Sequence, residues 1–287
     1  MTKFLLKYYS LFFFLFFFQI TLGFQKKEPL NPKNIKVLTW NIQDLGGTKN
    51  EKEIDFISNI LKDFDIIALQ EIVAKDPAGA QAVARIVDIL NRLGSKWDYT
   101  ISNSTNSSSS YVSERYAFLW KTSKIKISKS AYLDKELEQK IEREPYIAMF
   151  EFKPNKSSFY IINMHARTYN KHPEMEISNF KNYPKKLNTD ALIILGDFNL
   201  NEKHTVWNPL YKMGFTSAIK NQPTTLKRKC VKGNYLNYPI DNIYYNKAYF
   251  KQEKSYVIDF VKNCKNLLIS RKISDHLPVV SELLIMN

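Results

Sequence analysis

The sequence predicts an α/β fold built as a single domain, on two observations. Short apolar runs of strand length recur along the chain, each bounded by polar or turn-forming residues, and two stretches between them carry apolar residues at helical spacing. Strands that alternate with helices stack helices on a sheet. The first strand is read at residues 35–40, ending at Asn41, and a helix follows at 51–62 with Ile54, Ile57, Ile60 and Leu61 on one face. Residues 65–69 form the next strand and end at Gln70-Glu71; Val83, Ile86, Val87, Leu90 and Leu93 then predict a helix over 82–93. Residues 102–110 are Ser/Asn-rich, a solvated loop leading into Tyr111, and the charged stretch 135–142 reads as a surface helix or loop. Residues 159–164 are a strand ending at His165. Residues 191–195 (Ala-Leu-Ile-Ile-Leu) are a buried strand that delivers Gly196-Asp197-Phe198-Asn199 onto a turn. The polar segment 220–239 is assigned no element. Asp241 precedes the apolar Ile243-Tyr244-Tyr245, and Ser274-Asp275-His276 precede a last run at 277–280.

Residues 1–7 carry two lysines and no acid, and residues 11–18 are unbroken Leu and Phe, the charged and apolar regions of a secretory signal. Broken by Gln19 and Thr21, the run is short for a membrane span. Cleavage near Thr21-Leu22-Gly23 gives a signal peptide at 1–23 and a mature domain at 24–287, extracellular or periplasmic; the alternative is an uncleaved anchor holding the domain at a membrane. Losing residues 1–23 removes Lys3 and Lys7 and no acid, so the formal charge falls from +14 to +12. Such a charge draws in polyanions. The clusters Lys124/Lys126/Lys129, Lys185-Lys186, Lys227-Arg228-Lys229 and Arg271-Lys272 each read as solvated surface, but their sum fits a nucleic-acid partner, with anionic head groups or polysaccharides as alternatives. Two cysteines in an exported chain point to one disulfide. Cys230 lies eleven residues before Asp241 and Cys264 eleven before Asp275, so the two would meet if the strands there are neighbours.

Asn41, Glu71, His165, Asp197, Asn199, Asp241, Asp275 and His276 thus stand at the ends of six strand candidates. Any one alone is an ordinary cap. Together they are hard oxygen donors and imidazoles, the set that binds a divalent cation and moves protons near neutral pH. His172 and His204 have no such company and read as surface residues.

The order WN…QE…H…GDFN…D…SDH resembles the endonuclease/exonuclease/phosphatase superfamily, and its details resemble the deoxyribonuclease I branch. Gly47-Thr48-Lys49, the Tyr111–Leu119 segment with Glu114-Arg115-Tyr116, Arg143-Glu144-Pro145 and Glu176-Ile177 carry the closer match, over residues 35–285. The resemblance implies a four-layer sandwich: two packed mixed β-sheets flanked by helices, with the site at one edge. It also implies a Mg²⁺-dependent phosphodiesterase, with Mn²⁺ as a substitute, acting on DNA as a monomer without a stable protein partner. Glu71 would be the chief metal ligand, supported by Asn41 and Asp275. His165 and His276 would move protons, Glu114 orienting the first and Asp275 or a carboxylate near Glu71 the second. Asp197 and Asp241 would work with the histidines, and Asn199, Arg143 and Tyr111 would touch substrate.

Three departures accompany the resemblance. Gln43 and Val73 stand where the nuclease branch has arginines, which weakens the expected grip on duplex DNA. No cysteine follows the GDFN turn, so the family's disulfide is not reproduced. Thr224-Thr225 resembles threonines near a structural Ca²⁺ site, but acids to complete such a site are not evident. Two other readings stand beside the nuclease. A phosphatase or sphingomyelinase-like phosphodiesterase shares the core residues, but the ERY and REP stretches and the basic charge favour the nuclease. A non-catalytic binding module on this fold should have lost a histidine or a metal carboxylate, and none is lost.

Overall fold

A computed structural model describes residues 34–75 and 77–286; the signal-peptide assignment at 1–23 lies outside them. β1 (Asn34–Leu45) leads to α1 (Glu51–Leu61), whose first turn is closed by a capping box: Asn50 accepts from the Glu53 amide and Glu53 from the Asn50 amide. The helix buries Ile54, Ile57 and Leu61, the face its spacing predicts. After β2 (Ile66–Val73), α2 (Ala78–Arg92) starts four residues earlier than its large apolar residues indicate, because Gly79 is buried against the end of β2. β3 (Trp97–Ile101) and β4 (Glu114–Lys121) follow, then β5 (Ile125–Leu133), β6 (Tyr146–Phe152) and β7 (Ser157–His165). The short helices α3 (Pro173–Ile177) and α4 (Tyr183–Lys186) precede β8 (Leu192–Asp197), and α5 (Asn208–Lys212) precedes β9 (Phe215–Ser217). β10 (Leu226–Val231), β11 (Asn234–Leu236), β12 (Asp241–Asn246), β13 (Phe250–Val257), α6 (Leu267–Ile273) and β14 (Val279–Ile285) complete the chain.

The strands form two six-stranded sheets, ordered β13-β14-β1-β2-β4-β3 and β5-β6-β7-β8-β12-β9. Each is antiparallel apart from one parallel pair, β1–β2 in the first and β7–β8 in the second. Val37, Ile66, Phe118, Phe150, Phe159, Ile193 and Ile243 fill the space between the sheets. Leu38, Trp40, Ile57, Val83 and Ile86 pack the first sheet under α1 and α2, and Ile162, Phe180, Ile194, Trp207 and Tyr244 pack the outer face of the second. This is the four-layer arrangement. A polar bridge crosses the apolar interface: Gln70 Nε2 donates to Thr39 Oγ1 (2.9 Å) and to Asn163 Oδ1 (2.6 Å), and Asn163 Nδ2 donates to the Leu69 carbonyl (3.0 Å). A buried polar group without a partner is costly, so the bridge fixes one lateral position of the sheets.

Segment 220–239, irregular from sequence, contains the β10–β11 hairpin. Its turn is Lys232-Gly233, both at positive φ (50° and 79°), as a two-residue turn matching the strand twist requires. Cys230 and Cys264 do pair, with Cα atoms 5.7 Å apart, but for a different reason from the one their spacing offers. The strands that follow them, β12 and β14, lie in different sheets. The disulfide instead ties the hairpin to the turn before α6, over a small core of Leu226, Tyr235, Val261, Leu267 and Leu277.

Candidate active site

Three neighbouring strands of the second sheet end in one row. In register, His165 of β7 stands beside Asp197 of β8, and Asp197 beside Asp241 of β12. Side chains in a row across a sheet point the same way, so an imidazole followed by two carboxylates, with Asp197 in the middle, follows from pairing alone. Gly196 makes the row possible. Its φ is +137°, and a Cβ there would stand 1.9 Å from the Met164 carbonyl oxygen.

The first sheet supplies the facing wall. β1 and β2 lose register just beyond Asn41 and at Glu71, where Glu71 takes a positive φ of 57°. Bulges re-aim side chains at strand ends, and a non-glycine residue in this region is held there by its surroundings. Asn41 Nδ2 donates to Glu71 Oε1 (2.8 Å) and Asp197 Oδ2 (3.2 Å), joining the two sheets. Glu114, the first residue of β4, accepts from His165 Nδ1 (2.8 Å) and from the Glu71 amide (3.2 Å), and forms an ion pair with Arg143, whose Nε lies 3.0 Å away.

His276 comes from the segment between α6 and β14. Trp40 Nε1 donates to its carbonyl (2.9 Å), and Ser274 Oγ donates to the Asn41 carbonyl (2.7 Å), anchoring that segment to β1. Its Nδ1 donates to Asp241 Oδ2 (2.9 Å). The expected partners, Asp275 or a carboxylate near Glu71, do not orient it: Asp275 turns toward Arg271 (3.4 Å) one helical turn back. Both imidazoles are thus backed by a carboxylate at Nδ1. Both aim Nε2 at Asp197 Oδ2, from 3.4 Å for His165 and 3.7 Å for His276.

The charges are tightly balanced. Burial works against a charge on His276, but Asp241 and Asp197 prevail and hold its pKa well above that of a free histidine. Burial likewise opposes a charged His165, and Glu114 outweighs it, so that pKa is also raised. Glu114 is held below the usual carboxylate range because His165 and Arg143 overcome its burial. Burial, reinforced by Asp241, pushes Asp197 up, and burial pushes Glu71 up.

The substrate candidates separate. Asn199 lies at the site: its amide donates to Asp197 Oδ1 (3.0 Å) and its Nδ2 to the Ala166 carbonyl (3.1 Å), with the residue at φ 52°. It lines a cavity of about 550 Å³ with Tyr169, His204 and Tyr238. Arg143 is also close, but its guanidinium faces Glu114 and the Val112 carbonyl (3.0 Å). Tyr111 is 97% exposed, on the loop before β4. Thr224, which carried only a resemblance to a Ca²⁺ site, is a support of this centre. Its hydroxyl donates to Asp241 Oδ2 (2.6 Å) and accepts from the Ile240 and Asp241 amides (3.1 Å each). Glu176 holds the loop after His165, accepting from the Arg167 amide and side chain (2.8 Å each).

Two places offer a cation ligands. Asp197, Asp241 and His276 present ligand atoms within 4.8 Å of one another. In this trio Asp241 Oδ2 is already engaged by His276 Nδ1 (2.9 Å) and by the Thr224 hydroxyl (2.6 Å). At the second place Asn41 Oδ1 is buried without a hydrogen-bond donor, beside the Glu71 carboxylate. An orphan amide oxygen next to a carboxylate is a donor pair that fits a hard divalent cation.

The pattern of the endonuclease/exonuclease/phosphatase family matches residues 38–276. The chain belongs to this family. Among its sequence relatives, a deoxyribonuclease of Thioalkalivibrio sp. (strain K90mix) is 26% identical over 186 residues, 61% of this chain and 48% of that protein. Deoxyribonuclease-1-like 1 of Cricetulus griseus is 28% identical over 170 residues, 57% of this chain and 54% of that protein. The chain thus spans about half the length of these curated relatives. The family's fold is shared with an endonuclease/exonuclease/phosphatase of Bacteroides vulgatus (TM-score 0.64, 13% identity, 88% of this chain and 99% of that one). It is shared as well with the human Nocturnin catalytic domain (TM-score 0.59, 18% identity, 90% and 96%).

Proposed function

We propose that this chain is a secreted, divalent-metal-dependent endonuclease that hydrolyses phosphodiester bonds in DNA. The observation that carries the reading is the pair of carboxylate-backed imidazoles whose Nε2 atoms converge on Asp197. Hydrolysis of a diester needs a proton removed from the attacking water and one delivered to the leaving oxygen as the P–O bond breaks. Two histidines facing one space, one at the end of β7 and one from the segment before β14, suit these two transfers. Each carboxylate fixes its imidazole's tautomer and stabilises the charged form. Asp197 would orient the water or the protonated imidazole between them, and Asn199 would contact a phosphate oxygen. Glu71 and Asn41 would hold the ion, Mg²⁺ or Mn²⁺; when bound, it neutralises charge on the phosphate and leaving oxygens. That the sequence relatives are deoxyribonucleases, and that the chain without residues 1–23 is formally +12, both favour DNA.

A second reading, hydrolysis of a small phosphoester, is favoured by the cavity beside Asn199. Nicking of supercoiled plasmid by residues 24–287, with Mg²⁺, with EDTA and beside His165→Ala, separates the two. Metal-dependent nicking that the substitution abolishes is expected. Intact plasmid together with turnover of small phosphomonoesters would replace the nuclease by a phosphatase. Export rests on residues 1–23, and N-terminal sequencing of protein from culture medium checks it, a start near Phe24 being expected.

A further inference from the structure

Two basic clusters far apart in sequence share one lobe of the fold. The β10–β11 hairpin carries Lys227, Arg228, Lys229 and Lys232, and residues 260–273 carry Lys262, Lys265, Arg271 and Lys272; neither segment contains a carboxylate. The Cys230–Cys264 disulfide joins the two, and Arg271 donates to the Leu226 carbonyl (2.9 Å). Arg228, Lys229, Lys232, Lys262 and Lys265 are exposed, and among the described residues no ion pair engages them. Like charges crowded on a short hairpin repel one another, and the hairpin's own packing does not call for them. A covalent staple and a small core hold them in place nonetheless.

The lobe is continuous with the site. Thr225 pairs with His276 in a β-bridge, the Leu226 amide donates to the Asp275 carbonyl (2.8 Å), and the Leu277 amide to the Thr224 carbonyl (2.7 Å). A groove lined by Lys227, Arg228, Tyr238, Arg271 and Asp275, the last paired with Arg271, runs up to His276.

We propose that this stapled lobe is a clamp for the nucleic-acid backbone, gripping phosphates on the His276 side of the bond to be cut. The proposal deepens the nuclease reading and rests on it. The clamp supplies affinity without sequence preference, because it meets phosphates and no base edges. Its grip weakens with salt, since each neutralised phosphate releases condensed counterions.

The test measures binding of a fluorescein-labelled DNA duplex in EDTA across a salt series. The subjects are the full mature chain, K227Q/R228Q/K229Q, and a control of equal charge change, K153Q/K156Q/K247Q. The control residues are exposed and lie in the β6–β7 and β12–β13 turns, at the ends of β7 and β12 opposite His165 and Asp241. The hairpin variant should bind at least about tenfold more weakly near 0.15 M salt, and its slope of log affinity against log salt should flatten by about 2 to 3. The control should change little. Equal losses in both variants, in a protein that nicks plasmid, would overturn the clamp and leave the nuclease standing. Hairpin-dependent binding to anionic vesicles or heparin, with duplex binding indifferent to the hairpin, would also overturn it. Turnover of phosphomonoesters with plasmid left intact would remove the nuclease reading and the clamp together.

Discussion

Replacing Thr224 with valine, nearly the same shape, removes one hydroxyl and leaves three groups short of a partner. The residue is fully buried. Its oxygen accepts from the Ile240 and Asp241 amides and donates to Asp241 Oδ2. A buried donor left unmet costs about 1–3 kcal/mol, and the two amides together should cost about 2–4 kcal/mol. For a domain of this size, about 2–4 °C of melting temperature per kcal/mol turns that into a fall of roughly 4–16 °C. Asp241 would keep only His276 as a side-chain partner, and loss of a supporting hydrogen bond of this kind lowers activity about 10- to 100-fold. The assay is thermal unfolding followed by plasmid nicking well below the variant's melting temperature, with Thr224→Ser alongside. Serine keeps the hydroxyl and should restore most of both losses. A valine variant that melts and nicks like the parent would refute the reasoning, because Asp241 would then be positioned by something other than Thr224.

Three further outcomes follow from the same geometry. Glu114→Gln removes the carboxylate that raises the His165 pKa, so that pKa should fall and the limb of the pH–rate profile reporting it should move to lower pH. The matching stability term, from a histidine whose folded pKa is raised, is fully present below the unfolded value of about 6.5 and is lost as pH climbs through the folded one. The stability gap between parent and variant should therefore narrow toward alkaline pH in denaturant titrations. Asn41→Ala removes the orphan oxygen beside Glu71 and should raise the Mg²⁺ concentration for half-maximal nicking about tenfold or more, whereas an unchanged metal titration would take Asn41 out of the ion's coordination. Opening the disulfide with the pair C230S/C264S frees a 34-residue separation and should cost up to about 4 kcal/mol of stability, read from denaturant midpoints of oxidised parent and variant.

The strands at 35–40, 65–69, 159–164 and 191–195 were legible because each is buried on both faces and reads as a near-continuous apolar run. The residues at their tips were legible because polar groups beside such runs stand out. How the tips meet was not. His165, Asp197 and Asp241 become neighbours through pairing across β7, β8 and β12, a long-range register that no local pattern encodes. The partner of His276 was misjudged for a related reason. Asp275 is adjacent in sequence, but neighbouring side chains diverge, and the i, i+4 spacing to Arg271 draws it away while Asp241 arrives from the other sheet. The β10–β11 hairpin lacked apolar alternation, three basic residues in a row, Lys227-Arg228-Lys229, filling the middle of β10. Its Lys232-Gly233 turn was the signal available.

The centre is divided between two halves of the molecule: Asn41, Glu71 and Glu114 come from one sheet, His165, Asp197 and Asp241 from the other. The orphan Asn41 oxygen and Glu71 stand in one half, and His165 with Asp197 in the other. Catalytic competence therefore arises only when the sheets dock, with the Gln70–Asn163 bridge as a latch on their alignment. If the chain is exported unfolded and cuts DNA, as proposed, it leaves no assembled centre behind it in the cell that makes it, and the genome there meets only the two unjoined halves.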